Sequence, residues 1–215
     1  MFARVTRATG PADKLDELIA RFQSTLLPSI ATQRGYLGGV LLVDRRSGAG
    51  RSLTFWQDES SMRDSEHMAT EARAQVAQLG EQVEEPERYE LVLQERLVSP
   101  RANVFVRVND VRGSVERIDD VLELTRQQVL PTLKSQRGWL SVLVMVNRQN
   151  GRSLLMTVWD SAANRDASEA AVRLLREQSG ATAGASTVDV SLYEAAVVEL
   201  DAAAFPVGAS QRAPA

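Results

Sequence analysis

Leu27-Pro28-Ser29-Ile30-Ala31-Thr32-Gln33-Arg34-Gly35-Tyr36-Leu37 returns later in the chain as Leu130-Pro131-Thr132-Leu133-Lys134-Ser135-Gln136-Arg137-Gly138-Trp139-Leu140, with Gly138 following Gly35 by 103 residues. Backwards, the same register pairs Phe2 with Phe105 and Arg4 with Arg107. Forwards, it holds through Gly48 and Gly151, Thr54 and Thr157, and Trp56 and Trp159, as far as Ser65-Glu66 and Ser168-Glu169. One residue is then inserted, and Tyr89-Glu90 matches Tyr193-Glu194. A match at fixed period over such a length marks a duplicated architecture. In a chain of 215 residues each copy has the size of a small domain.

Each copy reads as strand, helix, strand, strand, helix, strand. Phe2 to Val5 and Val104 to Val108 open the copies as strands. Leu15, Leu18, Ile19, Phe22 and Leu26 recur at helical spacing, as do Ile118, Val121, Leu122 and Val129. Pro28 and Pro131 kink or stop that helix, and Gly35 and Gly138 release the chain into strand two. Leu37 to Asp44 and Arg51 to Trp56 form a hairpin across Gly48, repeated as Leu140 to Asn147 and Leu154 to Trp159 across Gly151. A second helix enters through Asp58 or Ser60, and in the second copy through Asp160 or Ser161. Its apolar stripe is expected to be Met68, Ala72 and Val76, then Ala167, Ala171 and Leu175. Ser179 to Ser186 reads as loop, and Tyr89 to Leu93 and Val190 to Val198 as the last strands.

This order is the ferredoxin-like split βαβ arrangement, an α+β fold. The expected domains are repeats over residues 1–93 and 104–200, joined by a polar connection over 94–103 that contains the helix-breaking Pro100. A partly ordered tail follows over 201–215, from which Phe205 can pack back. In strand two of the second copy Val142, Val144 and Val146 lie on one face and Leu143 and Met145 on the other, so both faces are apolar. Helices cover only one face, and the duplicate is the expected cover for the other, giving an eight-stranded pseudo-dimeric α/β barrel.

Composition narrows the chemistry. The absence of cysteine excludes disulfides, thiol nucleophiles and cysteine-ligated metals. His67 is the only histidine, so neither a multi-histidine metal site nor a catalytic triad in each copy can be built. Lys14 and Lys134 are the only lysines, both expected on exposed helix surface. A formal net charge of −3 gives no electrostatic case for nucleic acid. No stretch approaches the roughly 20 apolar residues of a membrane span, and the opening Met1-Phe2-Ala3-Arg4-Val5 is strand-like, so a cytoplasmic location is expected.

Leu-Pro-x-[Ile/Leu] at the helix end, Gly35-Tyr36-Leu37 or Gly138-Trp139-Leu140 after it, and a hairpin ending in Trp56 or Trp159 with an acidic residue close behind together resemble the antibiotic-biosynthesis monooxygenase superfamily of dimeric α/β barrels. Here the barrel is expected as a tandem fusion. The resemblance implies a cofactor-independent monooxygenase-like protein acting on a small aromatic or polyketide-like substrate in an apolar cavity. The alternatives are a non-catalytic small-molecule binding or stress-related protein, and a structural or oligomerisation module. No metal or cofactor is expected, and homo-oligomerisation is left open. Haem-degrading members use an Asn on the first strand and a Trp and a His on the second helix. This chain has Arg4 and Arg107 on its first strands, no Trp on the second helices, and Ala170 as the counterpart of His67, which argues against haem degradation.

Trp56 and Trp159 are the catalytic candidates at equivalent positions, either cavity walls offering an indole N–H or core residues whose N–H is satisfied internally. Arg4 and Arg107 either hold an anionic or enolised substrate or form structural ion pairs with Glu90 and Glu194. His67 suits proton abstraction if it lines a cavity and is otherwise a surface residue. Tyr36, Trp139, Tyr89, Tyr193, Phe2 and Phe105 are the substrate-contact candidates, with core or rim packing as the other reading.

Overall fold

The structure is a computed structural model that describes residues 1–99, 101–185, 187–208 and 211–212. Pro100 and Ser186 lie outside the described residues, as do 209–210 and 213–215 of the tail. The first repeat begins with β1 (Phe2–Thr9) and a helical arm made of α1 (Leu15–Arg21), a π-helical turn over Phe22–Leu26 and α2 (Leu27–Ala31). The hairpin of β2 (Tyr36–Asp44) and β3 (Ala49–Trp56) follows, then α3 (Glu59–Asp64), α4 (Glu66–Ala77), the short β4 (Gln82–Val83) and β5 (Glu87–Arg96). The second repeat contains β6 (Val104–Arg112), α5 (Ile118–Leu124), a π-helical turn over Thr125–Val129, and α6 (Leu130–Lys134). It continues through β7 (Trp139–Asn147), β8 (Arg152–Trp159), α7 (Ala162–Ala167), α8 (Glu169–Thr182) and β9 (Thr187–Leu200), with β10 (Gln211–Arg212) in the tail. The α+β class and the duplicated βαββαβ order hold. No helix among the described residues is long and apolar enough to cross a membrane.

The two compact units are each discontinuous in sequence. Unit one comprises residues 1–89, 99–103 and 193–206, and unit two comprises 90–98, 104–192 and 207–215. The sheet of unit one runs β9-β2-β3-β1-β4, with Leu42 opposite Ala195 and Gly39 opposite Glu199. The sheet of unit two runs β10-β5-β7-β8-β6, with Leu93 opposite Val144 and Glu95 opposite Val142. The last strand of each repeat therefore supplies hydrogen bonds to strand two of the other, and β5 runs through Gln94, Glu95 and Arg96 to do so.

In each unit the helices pack on one sheet face. Leu15, Leu18, Phe22, Leu26, Leu41 and Val43 form the core in unit one. Ile118, Leu122, Val129, Leu133, Val144 and Val172 do so in unit two. Leu143 and Met145, on the other side of β7, are also buried. Gly48 turns the first hairpin at a φ of 75°, and a side chain there would overlap the carbonyl oxygen of Gly10. Gly151 and Gly113 repeat that approach. Phe205 of the tail is buried edge-on against Phe55, ring centroids 5.0 Å apart.

Three sequence-based expectations change. Pro28 and Pro131 neither stop the helical arm nor simply bend it: a π-helical turn precedes each of them. Proline lacks an N–H and crowds the carbonyl four residues earlier, and widening the turn relieves both problems. The second helices keep Ala72, Val76 and Leu175 on the inner face, but the start of each expected stripe shifts. Ala69 and Val172 are buried in place of their expected neighbours, with Gly180 buried further along α8, whereas Met68 is only half-buried and Ala167 and Ala171 are exposed. The reason is a break at Ser65 and Ser168, which restarts each helix. The segment Ser179–Thr182 is helical rather than loop, since α8 runs to Thr182.

Candidate functional site

Strand β1 places Arg4 opposite Thr54, and β6 places Arg107 opposite Thr157. Both guanidiniums are buried and point at the break between the two short helices that follow the hairpin. Arg4 Nη2 donates to Ser65 Oγ at 3.1 Å and to the Met62 carbonyl, and it pairs with Glu66 at 3.1 Å. Arg107 donates to Ser168 Oγ at 2.9 Å and to the Arg165 carbonyl at 2.5 Å, and pairs with Glu169 at 3.3 Å. The expected partners Glu90 and Glu194 instead meet Arg148 at 3.3 Å and Arg45 at 3.2 Å. The helix break turns a carboxylate toward strand one, so no partner from the last strands is needed.

Each pair extends to a triad. Glu66 also accepts from Arg73 at 2.9 Å, and Glu169 from Arg176. Burial works against a charge on Glu66, but the hydrogen bond from Arg73 and the charge of Arg4 outweigh it and hold the carboxyl below its usual range. Arg176, through its hydrogen bond, does the same to Glu169. Burial pulls Arg4 and Arg107 downward and the adjacent glutamates pull them up; a guanidinium remains charged in either case.

Trp56 and Trp159 are fully buried, and their indole N–H groups donate to Thr54 Oγ1 at 3.1 Å and Thr157 Oγ1 at 3.0 Å. The guanidinium of Arg4 lies 5.6 Å from the Trp56 ring centroid. Tryptophan, threonine and arginine thus form one packed column in unit one, and in unit two Trp159 bonds Thr157, which lies opposite Arg107.

Beside these residues each unit has a cavity between its helices and its sheet, about 70 Å³ in unit one and about 80 Å³ in unit two. The walls correspond position by position: Arg4 and Arg107, Leu41 and Val144, Thr54 and Thr157, Ala69 and Val172, Arg73 and Arg176. Among the positions where they differ, Thr6 corresponds to Asn109, Phe22 to Thr125 and Arg51 to Leu154. Both linings are mainly aliphatic, and neither includes a carboxylate or imidazole among the described residues.

Of the candidates read from sequence, Arg4 and Arg107 line these cavities, and Trp56 and Trp159 stand behind the threonines that do. Phe2 packs on Trp56, and Phe105 packs on the unit-two core with the Arg165 guanidinium 5.9 Å from its ring centroid. Tyr36 meets Trp56 edge-on at 5.6 Å, and Trp139 is buried in the same place in the second repeat. Tyr89 donates to Glu87, and the Arg51 guanidinium lies 5.5 Å from the Tyr193 ring centroid. His67 is exposed, with Nδ1 3.1 Å from the Asp64 carbonyl oxygen. None of these seven lines either cavity. Asn109, Thr125 and Thr157 were not singled out from sequence. Strand alternation from Arg107 carries the signal for Asn109, because residues two apart share a face.

Residues 1–78 match the sequence profile of a family described as Antibiotic biosynthesis monooxygenase. The chain is 26% identical over 204 residues to uncharacterized protein Rv2557 of Mycobacterium tuberculosis, covering 93% of this chain and 89% of the relative. Among solved structures it resembles a provisionally named monooxygenase from Fusobacterium nucleatum, with TM-score 0.71 and 12% identity over 99% of this chain and 98% of that one. It also resembles an anthrone oxidase-like protein, with TM-score 0.70 and 11% identity over 93% of each chain. These structural likenesses show a shared fold. The first repeat thus belongs to the antibiotic biosynthesis monooxygenase family, the second repeat is its duplicate, and nearly the whole chain shares the ferredoxin-like fold of the monooxygenase-like structures.

Proposed function

We propose that the protein is a cofactor-independent oxygenase that takes a small aromatic molecule into the helix–sheet cavities. The observation carrying this reading is the repetition, in both units, of an aliphatic cavity with an equivalent buried arginine, Arg4 or Arg107, on its wall. Drug-sized ligands occupy pockets of roughly 300–1,000 Å³, so cavities of about 70 and 80 Å³ favour a compact occupant or walls that move. Arg4 and Arg107 lie where they can hold the polar end of an aromatic ketone and stabilise charge as it enolises. Trp56 and Trp159 act as positioning residues through Thr54 and Thr157. In the net reaction a ring-flanked CH2 and O2 give a carbonyl and water. The CH2 carbon loses its protons, and O2 supplies one oxygen to it and the other to water.

The same walls offer no side-chain base, which favours substrates that enolise readily, and also favours a second reading in which the cavities bind without turnover. Oxygen uptake with enolisable aromatic ketones separates the two. Wild type is expected to consume oxygen, and Trp159→Phe and Trp56→Phe to lower the rate severalfold. Binding of the same ketones without any uptake by the wild-type protein would leave the non-catalytic reading.

A further inference from the structure

The two cavities are built alike but differ at several lining positions, and Asn109 is one of them. Asn109 on β6 is 8% exposed and lines the unit-two cavity two residues along the strand from Arg107. Its Nδ2 donates to the Leu155 carbonyl on β8 at 3.3 Å, while Oδ1 is buried without a hydrogen-bond partner among the described residues. The amide cannot be turned over: flipped, Oδ1 would oppose the Leu155 carbonyl oxygen, acceptor against acceptor. The second repeat therefore carries an acceptor at its cavity wall that the fold leaves unsatisfied. Such an atom costs stability unless something donates to it. Its counterpart in the first repeat is Thr6, in a cavity that also has Phe22 in place of Thr125 and Arg51 in place of Leu154.

We infer that Asn109 is a specificity-determining residue that makes the second-repeat cavity a site for small aromatic molecules bearing a protonated hydroxyl, a phenol or an enol, donated to its Oδ1. This rests on the reading of the cavities as small-molecule sites. A neutral acceptor selects the protonated ligand, because a phenolate would set negative charge against the amide oxygen. The remaining wall, formed by Val144, Leu155, Val172 and Leu175, takes the ring. Selection is by the mismatch: a ligand without a donor leaves Oδ1 as it is, whereas a donor satisfies both its own hydroxyl and the protein's oxygen.

Phenol and toluene test this, being nearly equal in size and differing in the donor. Each is titrated into the full-length protein while the methyl resonances of Val144 and Val172 report on the second cavity and those of Leu41 and Val76 on the first. In a uniformly apolar cavity toluene binds better, since its transfer from water is more favourable. Wild type is expected to show a higher phenol-to-toluene affinity ratio in the second cavity than in the first. Asn109→Leu is expected to lower that ratio about tenfold. Should Asn109→Leu not fold, Asn109→Val, near in shape to the first repeat's Thr6, carries the same comparison. An unchanged ratio in a folded variant, or equal ratios in the two wild-type cavities, overturns the role of Asn109 while the cavities stand as binding sites. Failure of both probes to shift the Val144 and Val172 resonances overturns the cavity reading itself.

Discussion

Tyr36 and Trp139 occupy the same place in the two repeats, and the residues three positions on, Gly39 and Val142, differ with them. The sequence suggests that such differences let only one half keep a pocket, but the structure makes this pair a packing exchange outside both cavities. A side chain at Gly39 would overlap Leu27 Cδ1 and come within 2.9 Å of Tyr36 Oη, so the tyrosine requires the glycine. Tyr36 Oη is buried without a partner among the described residues, and burial, reinforced by Glu199, pushes its ionisation well above the ordinary range. Tyr36→Phe is therefore expected to leave stability unchanged or raise it by up to about 1 kcal/mol. Gly39→Ala should lower it by about 1–3 kcal/mol through overpacking. Urea unfolding of both variants checks this pair, and a large loss in Tyr36→Phe would mean that the hydroxyl has a partner. At this scale the sequence was informative about which residues are special, because the repeat exposes each substitution. It is silent on contact, so neither the open acceptor of Asn109 nor the pairing of Arg4 with Glu66 can be read from it.

Helix starts were partly legible. Two caps were open for each second helix, and the structure selects Asp58, which accepts from the Ser61 N–H, and Ser161, which accepts from the Asn164 N–H. Asp160 turns instead to the Asn164 side chain, 2.7 Å away. The breaks at Ser65 and Ser168 were not legible, because each serine hydroxyl meets an arginine about 60 positions away in sequence, at 3.1 and 2.9 Å. Local periodicity carries no trace of such a contact. The Asp58 cap has a pH signature. Hydrogen bonds from the Ser61 N–H and the Ser60 hydroxyl lower its carboxyl from 3.8 to about 2. A carboxyl depressed on folding contributes stability above its ordinary value, and the contribution is lost as pH falls through the folded value. Asp58→Asn keeps a capping oxygen and removes the charge. The melting temperature of wild type is thus expected to exceed that of Asp58→Asn at neutral pH, with the gap closing between about pH 4 and pH 2. A gap independent of pH would show that the charge does not contribute.

At the scale of the molecule, the repeat fixed the module and its order, whereas the partner of each last strand was beyond local pattern. Leu91, Val92 and Leu93 read as a strand whatever they pair with, and only the register of Leu93 against Val144 shows that the strand completes the other repeat's sheet. The cavity was legible as chemistry but not as place: apolar lining and a buried arginine were expected, though around the tryptophans. Tryptophan N–H groups held by threonines stand at the back, and the space lies in front, under the helices. Everything proposed about function depends on that space admitting a ligand. The most direct measurement is a crystal structure of the protein grown with a small aromatic such as toluene. The account predicts the ring between helix and sheet, touching Val121, Val144 and Val172 in unit two and the equivalent Leu18, Leu41 and Ala69 in unit one. A ring bound only elsewhere, against Tyr89 or Tyr193 for instance, with both helix–sheet spaces closed, would contradict it.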